Sequence, residues 1–136
     1  MKRTASAHWE GDLKTGKGNL STQSTVLNKS QYSFNTRFAD GVGTNPEELL
    51  AAAHAGCFTM AVSSILAQAG FTATSLDTEA AVTLEGLAIT SVHLTIKGKV
   101  PNISKEKFVE VTKGAEQGCL VSKVLSIPIT SEATLL

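Results

Sequence analysis

The sequence predicts an α+β fold with antiparallel sheet, in the element order βββ-α-ββ-α-β. Three observations carry this. The β-rich segments come in groups and do not alternate strictly with helices, which separates α+β from α/β patterning. The stretch from Thr44 to Gly70 reads as a helix that is apolar on nearly every face. A second helical stretch, opened by Ser104, carries a single apolar stripe. With 136 residues the chain is read as one domain, residues 1–136, able to bury a core without disulfide staples.

The elements follow in order. Thr4 to Glu10 alternates and holds the only Trp, Trp9. Gly11 to Gly18 is turn chemistry. Asn19 to Val26 and Gln31 to Phe38 complete an expected three-stranded meander. Asp40 to Gly43 is a flexible break before the first helix. Thr44 or Asn45 caps that helix, with Glu47 or Glu48 at capping-box spacing, and Pro46 suits its first turn. Gly70 is a natural stop. Asp77 to Leu84 and Ala88 to Val100 form a hairpin about Glu85-Gly86. In the second strand Val92, Leu94 and Ile96 share one face. Ser104 caps the second helix, whose buried stripe is Phe108, Val111 or Val109, and Ala115. Val121 to Leu125 adds a short turn. Ile127 to Leu135 is the last strand, placed at an edge by Pro128.

Charge excludes several functions. Twelve basic residues balance twelve acidic ones, so nothing favours nucleic acid or an anionic membrane surface. The N-terminus shows no apolar signal region, which makes the cytoplasm the default location. There, two cysteines are more often free, catalytic or metal-bound than a structural disulfide. With no CxxC, no His–Cys cluster and no HExxH, neither a metal nor a cofactor is expected.

Leu49 to Ala67 is free of formal charge when His54 is neutral. Such a run is long enough to be weighed as a transmembrane span. Its alanines, its hydroxyls and the lack of flanking Lys or Arg clusters favour a core helix instead. One small sheet covers only one side of a helix. A helix apolar all round therefore needs a second cover, and in so short a chain the expected cover is another copy.

Cys57 lies in the middle of this helix. A lone cysteine is usually buried and inert. Three features point further. Gly56 precedes Cys57 and Gly118 precedes Cys119, so each sulfur could sit at the start of a helical turn, where thiol pKa falls. Glu47 and Glu48 head an otherwise uncharged helix. Arg37 ends the third strand, just before the glycine loop.

The segments AHWEGD at 7–12, FNTRF at 34–38, TNPEELLAAAHAGCF at 44–58 and GCLVSKVL at 118–125 resemble the osmotically inducible protein C group (OsmC). That group belongs with the organic hydroperoxide resistance proteins in one superfamily of thiol peroxidases. The resemblance runs the length of the chain. Leu120 departs from it, because the family usually has Pro after the second cysteine. The resemblance implies an intertwined homodimer whose sheets wrap central helices, with active sites at the interface. It implies Cys57 as the peroxidatic cysteine and Cys119 as the resolving one. Arg37 and Glu47 match the family's arginine and its partner glutamate. The implied substrate is an organic hydroperoxide and the implied reductant a lipoyl-type dithiol.

Chemistry suits these roles. Only a thiolate attacks peroxide oxygen well, and a free thiol near pKa ~8.5 is mostly protonated at neutral pH. Arg37 beside Cys57 would favour the thiolate and stabilise the alkoxide leaving group. Glu47 would orient its fork. A sulfenic acid on Cys57 would condense with Cys119 to a disulfide, which an external dithiol resets. Yet Glu47 and Cys57 are ten residues apart, about 15 Å along one straight helix and on different faces. Either the helix breaks near Gly56, the favoured expectation, or Arg37 spans the gap, across a dimer in one version.

His54, one turn before Cys57, is read as a packing histidine, and Glu48 as the one competitor of Glu47. The aromatic residues are core, or walls of an apolar pocket. The alternative function is a redox-sensing or apolar-ligand-binding protein on the same scaffold.

Overall fold

The computed structural model describes all 136 residues as six strands and four helices. They group into two compact units, Met1–Leu49 and Leu50–Leu136.

In the first unit, strands β1 (Ala5–Glu10), β2 (Lys17–Thr22) and β3 (Ser30–Tyr32) form an antiparallel meander in that order. The Asp12 carboxylate accepts from the N–H groups of Lys14 (2.9 Å) and Thr15 (2.8 Å), closing the first turn. Trp9, Gly18 and Tyr32 lie side by side across the three strands. The Trp9 and Tyr32 rings meet at 5.5 Å over the glycine. A Cβ at position 18 would stand 2.5 Å from one ring and 2.6 Å from the other, so the contact requires a residue without one.

The third strand is shorter than its expected range of Gln31 to Phe38. It stops at Tyr32, and Phe34–Phe38 is a short helix, α1. The cause is local. The Ser33 hydroxyl accepts from the Thr36 N–H (3.3 Å), and the Thr36 hydroxyl accepts from the Ser33 N–H (2.8 Å), a complete capping box. Phe34 and Phe38, four apart, stack their rings at 4.9 Å on one face.

The long helix α2 spans Pro46–Gln68. Asn45 supplies its cap, accepting from the Glu48 N–H at 2.7 Å, while its amide donates to the Thr36 carbonyl at 3.0 Å. Gly70 ends the segment with φ +86°, a left-handed value that suits glycine. The expected break at Gly56 is absent, and the helix runs through it. An interior glycine costs only about 1 kcal/mol relative to alanine, too little to end a helix rich in Ala and Leu. His54, Phe58, Val62 and Leu66, spaced by four, form its fully buried row. The opposite face is not buried within one chain. Ala53, Gly56, Met60, Ser64 and Ala67 are exposed, and Met60 keeps 75% of its surface. The helix is long and apolar enough to cross a bilayer, with mean hydropathy 1.7.

In the second unit β4 (Ser75–Glu85) and β5 (Ala88–Lys99) form the expected hairpin, and β6 (Ile129–Leu135) lies on the far edge of β5. One expectation needs correction: β6 runs parallel to β5, so this sheet is mixed, not antiparallel. Two helices, α3 (Lys105–Gly118) and α4 (Leu120–Val124), lie between those strands. They form the crossover that a parallel pair requires.

Ser104 caps α3 by accepting from the Lys107 N–H at 3.1 Å. Val111 is buried and Val109 exposed, which decides the stripe. Phe108, Val111 and Ala115 join Val92, Leu94 and Ile96 of β5 and Phe58, Val62 and Leu66 of α2 in one core. Phe108 sits directly over Gly98, where any Cβ would collide with its ring.

Glu116 ties α3 to β6. Its carboxylate accepts from Lys113 Nζ (2.9 Å), from Gln117 Nε2 (3.2 Å) and from the Ser131 hydroxyl. Burial pushes this carboxyl up, but the Ser131 and Lys113 contacts outweigh it and hold it below the usual glutamate range. A carboxylate depressed in the folded state stabilises above the unfolded pKa, and that contribution is lost as pH falls through the folded value. Glu116→Gln should therefore cost about 1 kcal/mol at neutral pH. In thermal melts taken at decreasing pH, its gap to the wild type should close on the acid side.

Candidate active site

Four side chains were singled out from sequence, and the structure brings them together as two pairs. The first pair is Arg37 with Glu47. The capping box shapes α1 so that Arg37 falls in its last turn, and Asn45 ties α1 to the head of α2. Arg37 Nε donates to Glu47 Oε1 at 2.9 Å. The Glu47 side chain is nearly buried, while that of Arg37 is 42% exposed. The guanidinium also lies over the Phe38 ring, 5.3 Å from its centre. Glu48, the competitor, points to solvent and takes no part in the pair. Glu47 Oε2 is buried without a partner. The arginine is thus held by one edge of its fork, and its other nitrogens remain available to a further anion.

The second pair is Cys57 with Cys119. Both are free thiols, Cys57 partly exposed and Cys119 buried. Cys119 ends α3 and is the residue from which α4 starts, with extended backbone between the two helices (φ −60°, ψ 134°). The kink expected at Gly118-Cys119 is therefore present, whereas that at Gly56-Cys57 is not. The helix start that acts on Cys57 is that of α4, reached from across the fold.

The two sulfurs are driven apart in acidity. Burial pushes the Cys57 thiol up. The Cys119 thiol and the backbone N–H groups of Val121 and Leu120 face it, more than offset burial, and hold it below the ordinary thiol range. At Cys119 burial also pushes the thiol up, and its donation toward Cys57 pushes it further. The N–H and hydroxyl of Ser122 and the N–H of Val121 only partly oppose this. Cys57 is thus the more acidic thiol of the pair and Cys119 the less acidic. An open cavity of about 660 Å³ lies over both sulfurs, lined by Met60, Ala61, Ile65 and Leu120 among others. Its walls are aliphatic. Of the aromatic residues weighed as pocket walls, Trp9, Phe34 and Phe38 line a different hollow of about 280 Å³ beside Arg37, while Phe58 is core and Phe71 packs against it.

The break expected at Gly56 is absent, so Glu47 and Cys57 lie ten residues apart on one continuous helix. His54 is fully buried, and Nε2 lies 2.8 Å from the Ser122 hydroxyl. Sequence reasoning passed over Ser122. Its signal was the position three residues past the Gly-Cys, in the first turn of a helix beginning at that cysteine.

An α+β scaffold that aims a short helix and a second thiol at a partly exposed cysteine defines a class, and comparison with known proteins identifies it. The family model described as OsmC-like protein matches residues 39–133. Peroxiredoxin OsmC of Escherichia coli (strain K12) is 50% identical over 139 residues, covering 99% of this chain and 97% of the relative. A Shigella flexneri protein of the same name matches equally. Among solved structures, the organic hydroperoxide resistance protein OhrB of Bacillus subtilis superposes with a TM-score of 0.74 at 24% identity, over 96% of this chain and 98% of that one. An OsmC-like protein of Mycoplasma pneumoniae does so with a TM-score of 0.74 at 14% identity, over 100% and 98%. The chain belongs to the OsmC-like protein family, and its fold is theirs.

Proposed function

We propose that this chain reduces organic hydroperoxides to alcohols through Cys57 and Cys119. That it is a peroxidase rests on its family and on half-identical relatives named peroxiredoxin. One observation carries the finer reading: two free thiols of opposite acidity share the floor of an open aliphatic cavity.

The Cys57 thiolate attacks the terminal peroxide oxygen. The O–O bond breaks, the alkoxide leaves and takes a proton, and Cys57 becomes a sulfenic acid. Cys119 then displaces the hydroxyl, giving a Cys57–Cys119 disulfide and water. A dithiol, of lipoyl type by the family resemblance, reduces that disulfide by exchange. Aliphatic walls favour an alkyl peroxide over hydrogen peroxide, because burying its carbon returns about 25 cal/mol per Å².

Arg37 acts with Glu47 as its orienting partner. Since α2 does not break, a second copy of the chain supplies Arg37 to each cysteine pair. A homodimer is favoured by the exposed apolar face of α2, where Gly56 meets open space and Met60 stands free. The enzyme works in the cytoplasm, where dithiol reductants keep such a pair reduced. The aliphatic cavity also suits a redox sensor or a binder of apolar ligands, and kinetics separate these readings.

The deciding experiment treats the reduced protein with one equivalent of cumene hydroperoxide, or of hydrogen peroxide, and follows thiol loss and intact mass. Both thiols should vanish within seconds as an intramolecular disulfide, faster with the organic peroxide. Cys119→Ser should stop at a sulfenic acid on Cys57. Thiols that react no faster than free cysteine would overturn the reading in favour of ligand binding.

A further inference from the structure

We infer that His54 and Ser122 form a proton relay that serves Cys119 in the disulfide-forming step, an inference that rests on the peroxidase reading above. Three placements support it. His54 Nε2 and Ser122 Oγ are 2.8 Å apart in the interior. Ser122 follows Cys119 by three residues, in the turn that Cys119 opens, and its hydroxyl faces the Cys119 sulfur. His54 Nδ1 is buried and has no partner. A buried nitrogen without a partner is costly, which argues for a role of the ring beyond packing.

The need for a relay is chemical. Cys119 must attack as a thiolate, yet it is the buried, less acidic thiol of the pair. Its resting proton points toward Cys57. Once Cys57 is a neutral sulfenic acid, that acceptor is gone and the proton needs another route. Burial holds His54 below the ordinary imidazole range, which favours the neutral ring, and the relay uses the tautomer with its proton on Nδ1 and Nε2 open to Ser122.

The step then balances. The Cys119 proton moves to Ser122 Oγ as the Ser122 hydroxyl proton moves to His54 Nε2. The Cys119 sulfur attacks the Cys57 sulfur, forming the S–S bond. The S–O bond breaks, and its electron pair leaves with the hydroxyl, which becomes water with a proton from solvent. His54 returns its proton to solvent. The sulfenic sulfur is reduced by as much as the thiol sulfur is oxidised.

The test resolves the two steps in time, with cumene hydroperoxide as oxidant and a sulfenic-acid trap with intact mass as readout. His54→Gln keeps an amide at the Nε2 position but cannot take up a proton. It should accumulate Cys57 sulfenic acid and form the disulfide at least about tenfold more slowly. Ser122→Ala should do the same, and Ser122→Thr, which keeps the hydroxyl, should recover the rate. In heavy water the wild-type disulfide step should slow, and the slowing should shrink in His54→Gln. If His54→Gln closes the disulfide as fast as the wild type, or slows sulfenic acid formation and disulfide formation by the same factor, the relay is overturned. A wild type that forms no disulfide overturns the peroxidase reading instead.

Discussion

Arg37→Ala should slow oxidation of Cys57 by cumene hydroperoxide by about 10²–10³-fold, the usual cost of removing one preorganised charge from developing anionic charge. Arg37 is held by one nitrogen against Glu47, so its remaining donors are fixed in direction and free to meet an anion. A thiolate and a departing alkoxide are such anions. Removing Arg37 also strands the buried Glu47 carboxylate, which carries a stability cost of its own. The paired variant Arg37→Ala with Glu47→Gln separates these effects. Stability should recover in it while the rate stays low. A wild-type rate in Arg37→Ala would remove the residue from the chemistry. Arg37→Lys should fall between, since it keeps the charge but not the fork.

Phe108→Ala should cost about 3–5 kcal/mol, read as a shift in urea midpoint at constant slope. Phe108 is fully buried and rests on the bare backbone of Gly98, a close approach that leaves little room for neighbours to relax. The contact gives the prediction a second arm. Gly98→Ala alone should be destabilising through collision with the ring, and it should be far milder once Phe108 is Ala. Additive effects in that cycle would mean that the two residues do not share one packing site.

Much of this architecture was legible because its signals are local. Pro46, Glu47, Glu48 and Gly70 mark the ends of α2 by chemistry alone. The alternation of Val92, Leu94 and Ile96 marks β5 equally well. The errors have physical reasons. FNTRF looked like a strand because the capping box of Ser33 and Thr36, and the spacing of Phe34 to Phe38, were outweighed by the β-rich residues before them. The parallel pairing of β6 was missed although a helix lies between it and β5, and that order calls for a crossover. The break at Gly56 is expected because it would bring Glu47 near Cys57 and start a fresh helix at the sulfur, and nothing in the backbone requires it. At the site, the cysteines, Arg37 and the Glu47–Glu48 head of α2 stand out by residue type and place, whereas the pairing of Arg37 with Glu47 follows from the family resemblance. Ser122 did not, since a lone serine acquires meaning only when the fold sets it between His54 and Cys119.

The order of elements also bears on how the protein is made. All the buried residues that share the core with the buried row of α2, from Val92 to Cys119, lie after it in the sequence. A growing chain therefore presents α2 with neither face covered. At about 5–20 residues per second, the wait until β5 and α3 emerge lasts a few seconds. In that interval the segment is a long apolar helix without a charge over its central turns, the kind of object that chaperones and membrane-targeting factors capture. Val92, Leu94 and Ile96 cover one side as they arrive, and the other side is left for whatever the finished chain meets.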